Sequence, residues 1–288
     1  MHKMSNQRNP QDAEKQAQPQ ARAALLEIRG LKTWYAVTKG VFARTVGHIR
    51  AVDGLDAELF PGETLGIVGE SGCGKTTLAR TILRLERPRQ GTITLNGANI
   101  FALRGKALQS YRRAVQVVFQ DPQASLNPRH TVLDLITEAM LVHKRATREN
   151  RRALATRLLE EVGLAGDFLD RYPHAFSGGQ RQRICIARAL ALDPQILICD
   201  EAVSALDLSV RAQVLNLLQD LKARRKMSYL FITHDIGVVQ HIADRIAVMN
   251  AGRVVEYGAA EQVLNHPQHA YTKTLLAAVP KLRQAKGA

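Results

Sequence analysis

The sequence predicts an α/β fold, a buried and largely parallel sheet carrying a smaller helical lobe. Three observations predict it. Four short apolar runs, at residues 64–68, 115–119, 196–199 and 229–232, each stop abruptly at polar residues, as strands buried on both faces do. The first run leads through a glycine-rich stretch into residues 77–83, which read as helix. Between the second and third runs the apolar period becomes helical: Val132, Leu133, Leu135, Ile136 and Met140, then Leu154, Leu158, Leu159 and Val162. A chain of 288 residues can bury such a core.

The first strand feeds Gly69-Glu70-Ser71-Gly72-Cys73-Gly74-Lys75-Thr76. This fits G-x-x-x-x-G-K-[ST] at every fixed position, in the strand–loop–helix setting the motif needs. Gly69, Gly72 and Gly74 let the backbone wrap so that N–H groups, with Ser71, Cys73 and Thr77 among their neighbours, point at anionic oxygens. The helix start adds partial positive charge. Lys75 is placed for the outer phosphates of a nucleotide and the Thr76 hydroxyl for Mg²⁺.

The other strands end in matching chemistry. Residues 196–199 run into Asp200-Glu201, at the end of the strand where open α/β sheets bind ligands. Asp200 is expected to hold Mg²⁺ and Glu201 to polarise an attacking water. The plainer reading is a pair of carboxylates capping the next helix, and the phosphate loop tips the balance against it. Residues 229–232 run into Thr233-His234-Asp235; a lone histidine is usually structural, but one at this strand end can hydrogen-bond a terminal phosphate. Residues 115–119 run into Gln120, whose neutral amide can touch Mg²⁺ or water. Ser177 followed by Gly178, Gly179 and Gln180 reads as an N-capped helix start, which also suits an anion. After Asp207, Val214, Leu217, Leu218 and Leu221 mark a helix packed on the sheet, and most such positions are simply core.

These motifs together resemble the ATP-binding cassette (ABC) ATPases, from about Leu25 to Pro280. Ser177-Gly178-Gly179-Gln180 looks like their signature, Ser204-Ala205-Leu206-Asp207 like their D-loop, Gln120 like the Q-loop glutamine and His234 like the switch histidine. The resemblance implies a mixed sheet, a small antiparallel β part and a helical lobe at about 121–177. It implies that Tyr35 stacks on adenine, with the adjacent Trp34 as the alternative. It also implies two cassettes closing head to tail on two ATP molecules. Lys75, Gln120, Glu201 and His234 would be catalytic. Thr76, Gln120 and Asp200 would manage Mg²⁺. Ser177, Gly178, Gly179, Gln180 and Asp207 would face the ATP held by the other subunit.

The wording narrows the branch. Asp200-Glu201-Ala202-Val203-Ser204-Ala205-Leu206-Asp207-Leu208-Ser209-Val210-Arg211, the stretch from Gln120 to Arg129, and His266-Pro267-Gln268-His269-Ala270-Tyr271-Thr272 are similar to the dipeptide/oligopeptide importer ATPases. Ala270 stands where that family usually has proline. The basic insert at 38–48 resembles the second, F-type ATPase of such importers. Importers of nickel chelates and glutathione share the branch, and the cassette does not touch the cargo. The implied partners are two integral membrane permease subunits, a second cassette (a copy or a different chain) and, indirectly, a substrate-binding protein. The implied location is the cytoplasmic side of the cell membrane.

Composition fits and excludes. Residues 1–23 lack apolar periodicity and are expected to be a disordered tail; 24–260 form the ATPase domain and 261–288 a C-terminal extension. No apolar run approaches the ~18 residues of a spanning helix. The three cysteines, Cys73, Cys185 and Cys199, suit a reducing compartment, and Cys73 in the loop should make ATP binding sensitive to alkylation. None lies in the tail, so no iron–sulfur cluster is expected. Net charge is +14, read as a surface facing an anionic leaflet; no groove-reading motif supports a nucleic-acid partner. A soluble chromosome or repair ATPase would carry a long coiled coil between Lys75 and Ser177. A translation ATPase usually carries two cassettes, and an exporter often carries fused membrane helices.

Overall fold

The structure, a computed structural model, describes residues 23–39 and 44–278. The expected N-terminal tail up to residue 22, the middle of the basic insert and residues 279–288 of the extension lie outside the described residues.

Two sheets share the core. In the first, β1 (Leu26–Lys39) and β2 (Arg44–Leu59) form a long antiparallel pair. Their sheet continues through β4 (Gln90–Leu95) and the short β5 (Ala98–Asn99) in the order β2-β1-β4-β5. The second contains β3 (Thr64–Val68), β6 (Val115–Val118), β7 (Ile196–Asp200), β8 (Ser228–Thr233), β9 (Arg245–Asn250) and β10 (Arg253–Ala259). Its order is β10-β9-β3-β8-β7-β6. All neighbours are parallel except β10 on β9. The sheet is therefore mixed, as expected.

The four apolar runs are strands of this second sheet, and β3, β7 and β8 are buried at every residue. Their side chains alternate between two cores. Leu197, Cys199, Tyr229 and Phe231 join the helices between β6 and β8. Ile196, Ile198, Leu230 and Ile232 join the first sheet and α1 (Lys75–Ile82). Period-2 alternation between two apolar environments explains why these strands read as continuous hydrophobic runs.

After α2 (Gly105–Ala114), the chain between β6 and β7 is helical: α3 (Pro122–Ser125), α4 (Val132–Val142), α5 (Arg151–Glu161) and α6 (Gly178–Leu190). Asp121 caps α3 through Gln123 and Ala124, and Thr131 caps α4 through Asp134, which satisfies otherwise orphan N–H groups. Arg151 bonds Asp134 at 2.9 Å and holds α5 against α4. The remaining helices are α7 (Leu208–Arg225), α8 (Ile236–Ile242), α9 (Ala260–Asn265) and α10 (Ala270–Ala277). Among the described residues no helix is long and apolar enough to cross a membrane.

Candidate nucleotide site

Because β3, β8, β7 and β6 run parallel and lie side by side, their C-terminal ends share one edge. That edge carries the phosphate loop, Thr233-His234, Asp200-Glu201 and Gln120. The loop is wedged between two backbones. A Cβ on Gly69 would lie 2.1 Å from the Met249 carbonyl, and one on Gly74 1.9 Å from the Ala51 carbonyl. Gly74 also has φ of +109° and caps α1. Only glycine fits both places. The Cys73 carbonyl accepts the Gly252 N–H at 2.9 Å, tying the loop to the β9–β10 turn.

Lys75 is buried, and its Nζ donates to the carbonyls of Gly69 at 2.7 Å and Glu70 at 2.8 Å. The ammonium thus closes the loop on itself, over the cradle its backbone forms. Ser71, Gly72 and Thr76 are exposed and Thr77 is half-buried. The Thr76 hydroxyl donates to Asp200 Oδ1 at 3.4 Å. Asp200 is buried to 4% exposure. Burial first, and Glu201 second, push its carboxyl above the usual range. A hydroxyl and a buried carboxylate with no full cationic partner form a hard oxygen pair that suits Mg²⁺. Among the described residues no group of three His, Cys, Asp or Glu could hold a metal, so phosphate and water oxygens would have to complete that shell.

Glu201 sits with φ of +51°, a left-handed conformation rare outside glycine. Its N–H donates to the Ile232 carbonyl at 2.8 Å, extending the β7–β8 pairing. Its carboxylate Oε1 lies 3.3 Å from His234 Nδ1. His234 is 46% exposed and Glu201 only 14%, so the histidine faces outward beyond the glutamate.

The other predicted residues are placed but not bonded into this network. Gln120 is exposed just beyond β6. Ser177 caps α6 with a complete capping box: its Oγ accepts the Gln180 N–H at 3.3 Å, and Gln180 Oε1 accepts the Ser177 N–H at 3.0 Å. A Cβ on Gly179 would meet Val210 at 2.4 Å, so glycine there lets α6 seat on α7. Ser177, Gly178 and Asp207 are exposed, and Leu208 beside them is 80% exposed. No hydrogen bond joins them to the phosphate loop among the described residues. Trp34 carries the guanidinium groups of Arg50 and Arg89 at 4.7 and 4.8 Å from its ring centroid. Its ring is engaged, which leaves the half-buried Tyr35 as the freer aromatic. Cys73 is buried, and burial raises its thiol pKa, so alkylation there should be slow.

Sequence reasoning missed two groups. Arg211 donates to Asp235 at 2.8 Å, to the Leu206 carbonyl at 3.3 Å and to the Ser204 carbonyl at 3.5 Å. It joins the loop after Glu201 to the residue after His234. Its position one turn after Asp207 was the available signal. Tyr271, from α10, accepts the Glu70 N–H at 3.1 Å, a contact with no local signal. A cavity of about 710 Å³ lined by Pro61, Lys222, Lys226, His241 and Asp244 lies at the opposite end of the sheet and takes no part in this site.

A phosphate loop on a sheet edge that also carries Asp200, Glu201, His234 and Gln120, with a capped helix start displayed on the surface, fits a nucleotide-binding cassette. The family model described as ABC transporter matches residues 52–204. The chain belongs to the ABC transporter family. The model for the oligopeptide/dipeptide transporter C-terminal region matches residues 255–288. The dipeptide transport ATP-binding protein DppF of Haemophilus influenzae is 48% identical over 258 residues, 90% of this chain and 79% of that protein. The oligopeptide transport ATP-binding protein AppF of Bacillus subtilis is 48% identical, with coverage of 90% and 79%. The glutathione import ATP-binding protein GsiA of Salmonella typhimurium is 50% identical, but this chain spans only 41% of it. The fold is similar to the ATP-binding cassette MJ0796 in a dimeric post-hydrolysis state with ADP and Pi, at TM-score 0.71 and 28% identity, covering 82% of this chain and 98% of that one. The chain is an ATP-binding cassette with the α/β architecture of its family.

Proposed function

We propose that this chain is the ATP-hydrolysing subunit of a binding-protein-dependent importer of di- or oligopeptides. The observation that carries the peptide reading is the match of residues 255–288 to the C-terminal region of peptide transporters. Relatives named for dipeptide and oligopeptide transport support it. It works at the inner face of the cell membrane, bound to two permease subunits and a second cassette. A binding protein outside delivers the cargo.

The reaction is ATP + H₂O → ADP + phosphate. Tyr35 stacks on the adenine. The loop N–H groups from Gly69 to Thr77 hold the phosphates. Lys75, released from the Gly69 and Glu70 carbonyls, neutralises the outer phosphates. Thr76, Asp200 and Gln120 hold Mg²⁺, which when bound offsets charge on the outer phosphates. Glu201 orients the attacking water and takes its proton, and His234 hydrogen-bonds the γ-phosphate while fixing the Glu201 carboxylate. Ser177, Gly178, Gly179, Gln180 and Asp207 meet the ATP of the opposite cassette. Their exposure beside Leu208 favours such a composite site. ATP closes the dimer and hydrolysis reopens it.

The test is to purify the tagged chain from detergent-solubilised native membranes and then measure uptake by cells lacking it. Two multi-spanning proteins and loss of labelled di- or oligopeptide uptake support the proposal. Loss of glutathione uptake alone, the reading that the GsiA similarity favours, replaces the cargo. Soluble or nucleic-acid partners alone overturn the transport reading.

A further inference from the structure

We infer that the C-terminal extension sets the phosphate loop, with Tyr271 as a positioning residue for nucleotide binding. The Gly69–Glu70 peptide group is gripped at both ends. Its carbonyl, on Gly69, accepts Lys75 Nζ at 2.7 Å. Its N–H, on Glu70, donates to the Tyr271 hydroxyl at 3.1 Å. The two grips fix the plane of one peptide group (a peptide is rigid, so holding both ends sets its tilt). The ammonium must leave that carbonyl when it turns to phosphate. From then on the tyrosine is the side-chain contact still orienting the peptide.

The extension is built to hold this tyrosine in place. Glu256 on β10 accepts the N–H groups of Gln268 at 2.8 Å and His269 at 3.0 Å. This pins the chain just ahead of α10. His269 Nδ1 then caps the helix by accepting the Tyr271 N–H at 3.1 Å. Thr272 is buried, lining the same apolar pocket as Val68, Val239 and Leu275, and Tyr271 and Leu275 pack on the cluster of Val68, Val239, Ile246, Val248 and Val263. Val68 is the last residue of β3, directly before Gly69. The extension therefore touches both the strand that delivers the loop and the loop itself. A segment whose sequence marks the transporter branch thus bears on the step common to all cassettes. Displacing α10 would tilt the loop and weaken nucleotide binding.

The inference rests on the phosphate-loop reading, and the experiment separates the two. The full chain is titrated with fluorescent 2′/3′-N-methylanthraniloyl-ATP and Mg²⁺, with thermal melts alongside. The proteins are wild type, Tyr271→Phe, Glu256→Ala and Lys75→Ala. Tyr271→Phe keeps the ring and loses only the hydroxyl, so it should bind about three- to tenfold more weakly with an unchanged melting temperature. Glu256→Ala frees the 268–269 segment and should move binding the same way, which provides a second reading if the phenylalanine variant folds poorly. In the assembled transporter Tyr271→Phe should raise KM and leave kcat alone. Wild-type affinity in both extension variants, or weaker binding only in step with a lower melting temperature, overturns the inference. Wild-type affinity in Lys75→Ala overturns the phosphate-loop reading beneath it.

Discussion

Two neighbouring carboxylates, given different roles in the proposed function, stand in different surroundings. Asp200 is buried and Glu201 projects toward a half-exposed histidine. The Glu201→Gln variant keeps the shape and loses the base. Phosphate release should fall by 10²–10⁴-fold while nucleotide binding persists; near-normal turnover would remove Glu201 from its role. Asp200 makes a thermodynamic prediction. Its carboxyl pKa is raised by burial from the ordinary value of 3.8, so the folded state prefers it protonated. The stability it contributes is complete below that value and is lost as pH rises through the raised one. Asp200→Asn removes the loss. The nucleotide-free variant should melt above wild type at neutral pH, by about 2–4 °C for each ~1 kcal/mol relieved. That gap should close as pH falls toward the ordinary carboxylate value, while hydrolysis stays lost. A melt series across pH with no such convergence would dismiss the burial argument.

At the scale of elements, helix starts carry both stability and chemistry. Ser177→Ala removes the side-chain acceptor at the head of α6 and should cost about 1 kcal/mol in denaturant unfolding. Gly74 shows the harsher case. An alanine there meets the Ala51 carbonyl at 1.9 Å in a left-handed backbone. Backbone cannot yield as a flexible side chain does, so Gly74→Ala should lose nucleotide binding altogether in a titration, even if the chain still folds. The two substitutions separate a cap that water can partly replace from a close approach that nothing can.

In the proposed reading the whole molecule presents half of a composite site. Ser177 and Gly178 at the capped start of α6 and Asp207 are exposed, and Leu208, next after Asp207, is 80% exposed. An apolar side chain this exposed beside polar anion-binding groups suits a surface that closes only on a partner. Leu208→Arg should leave monomer stability within about 0.5 kcal/mol and abolish ATP-dependent dimers of the Glu201→Gln chain in light scattering. Persisting dimers would move the interface elsewhere.

The sequence by itself determined which polar residues end the parallel strands of the sheet edge. Lys75, Thr76, Asp200, Glu201, His234 and Gln120 were legible because each follows an apolar run or a fixed-spacing glycine motif, and parallel strands bring their ends to one side. The Ser177 cap was legible because a capping box is local. Tertiary structure alone decided which aromatic stays free. Arg50 from β2 and Arg89 from just before β4 engage Trp34, and no pattern within β1 foretells that. It also decided that Cys73 is shielded, since shielding comes from packing between distant segments. The Tyr271 contact with Glu70 spans 201 positions of chain. Periodicity and spacing report only the geometry of one segment; where two segments far apart in sequence meet is fixed by the packing of the whole core.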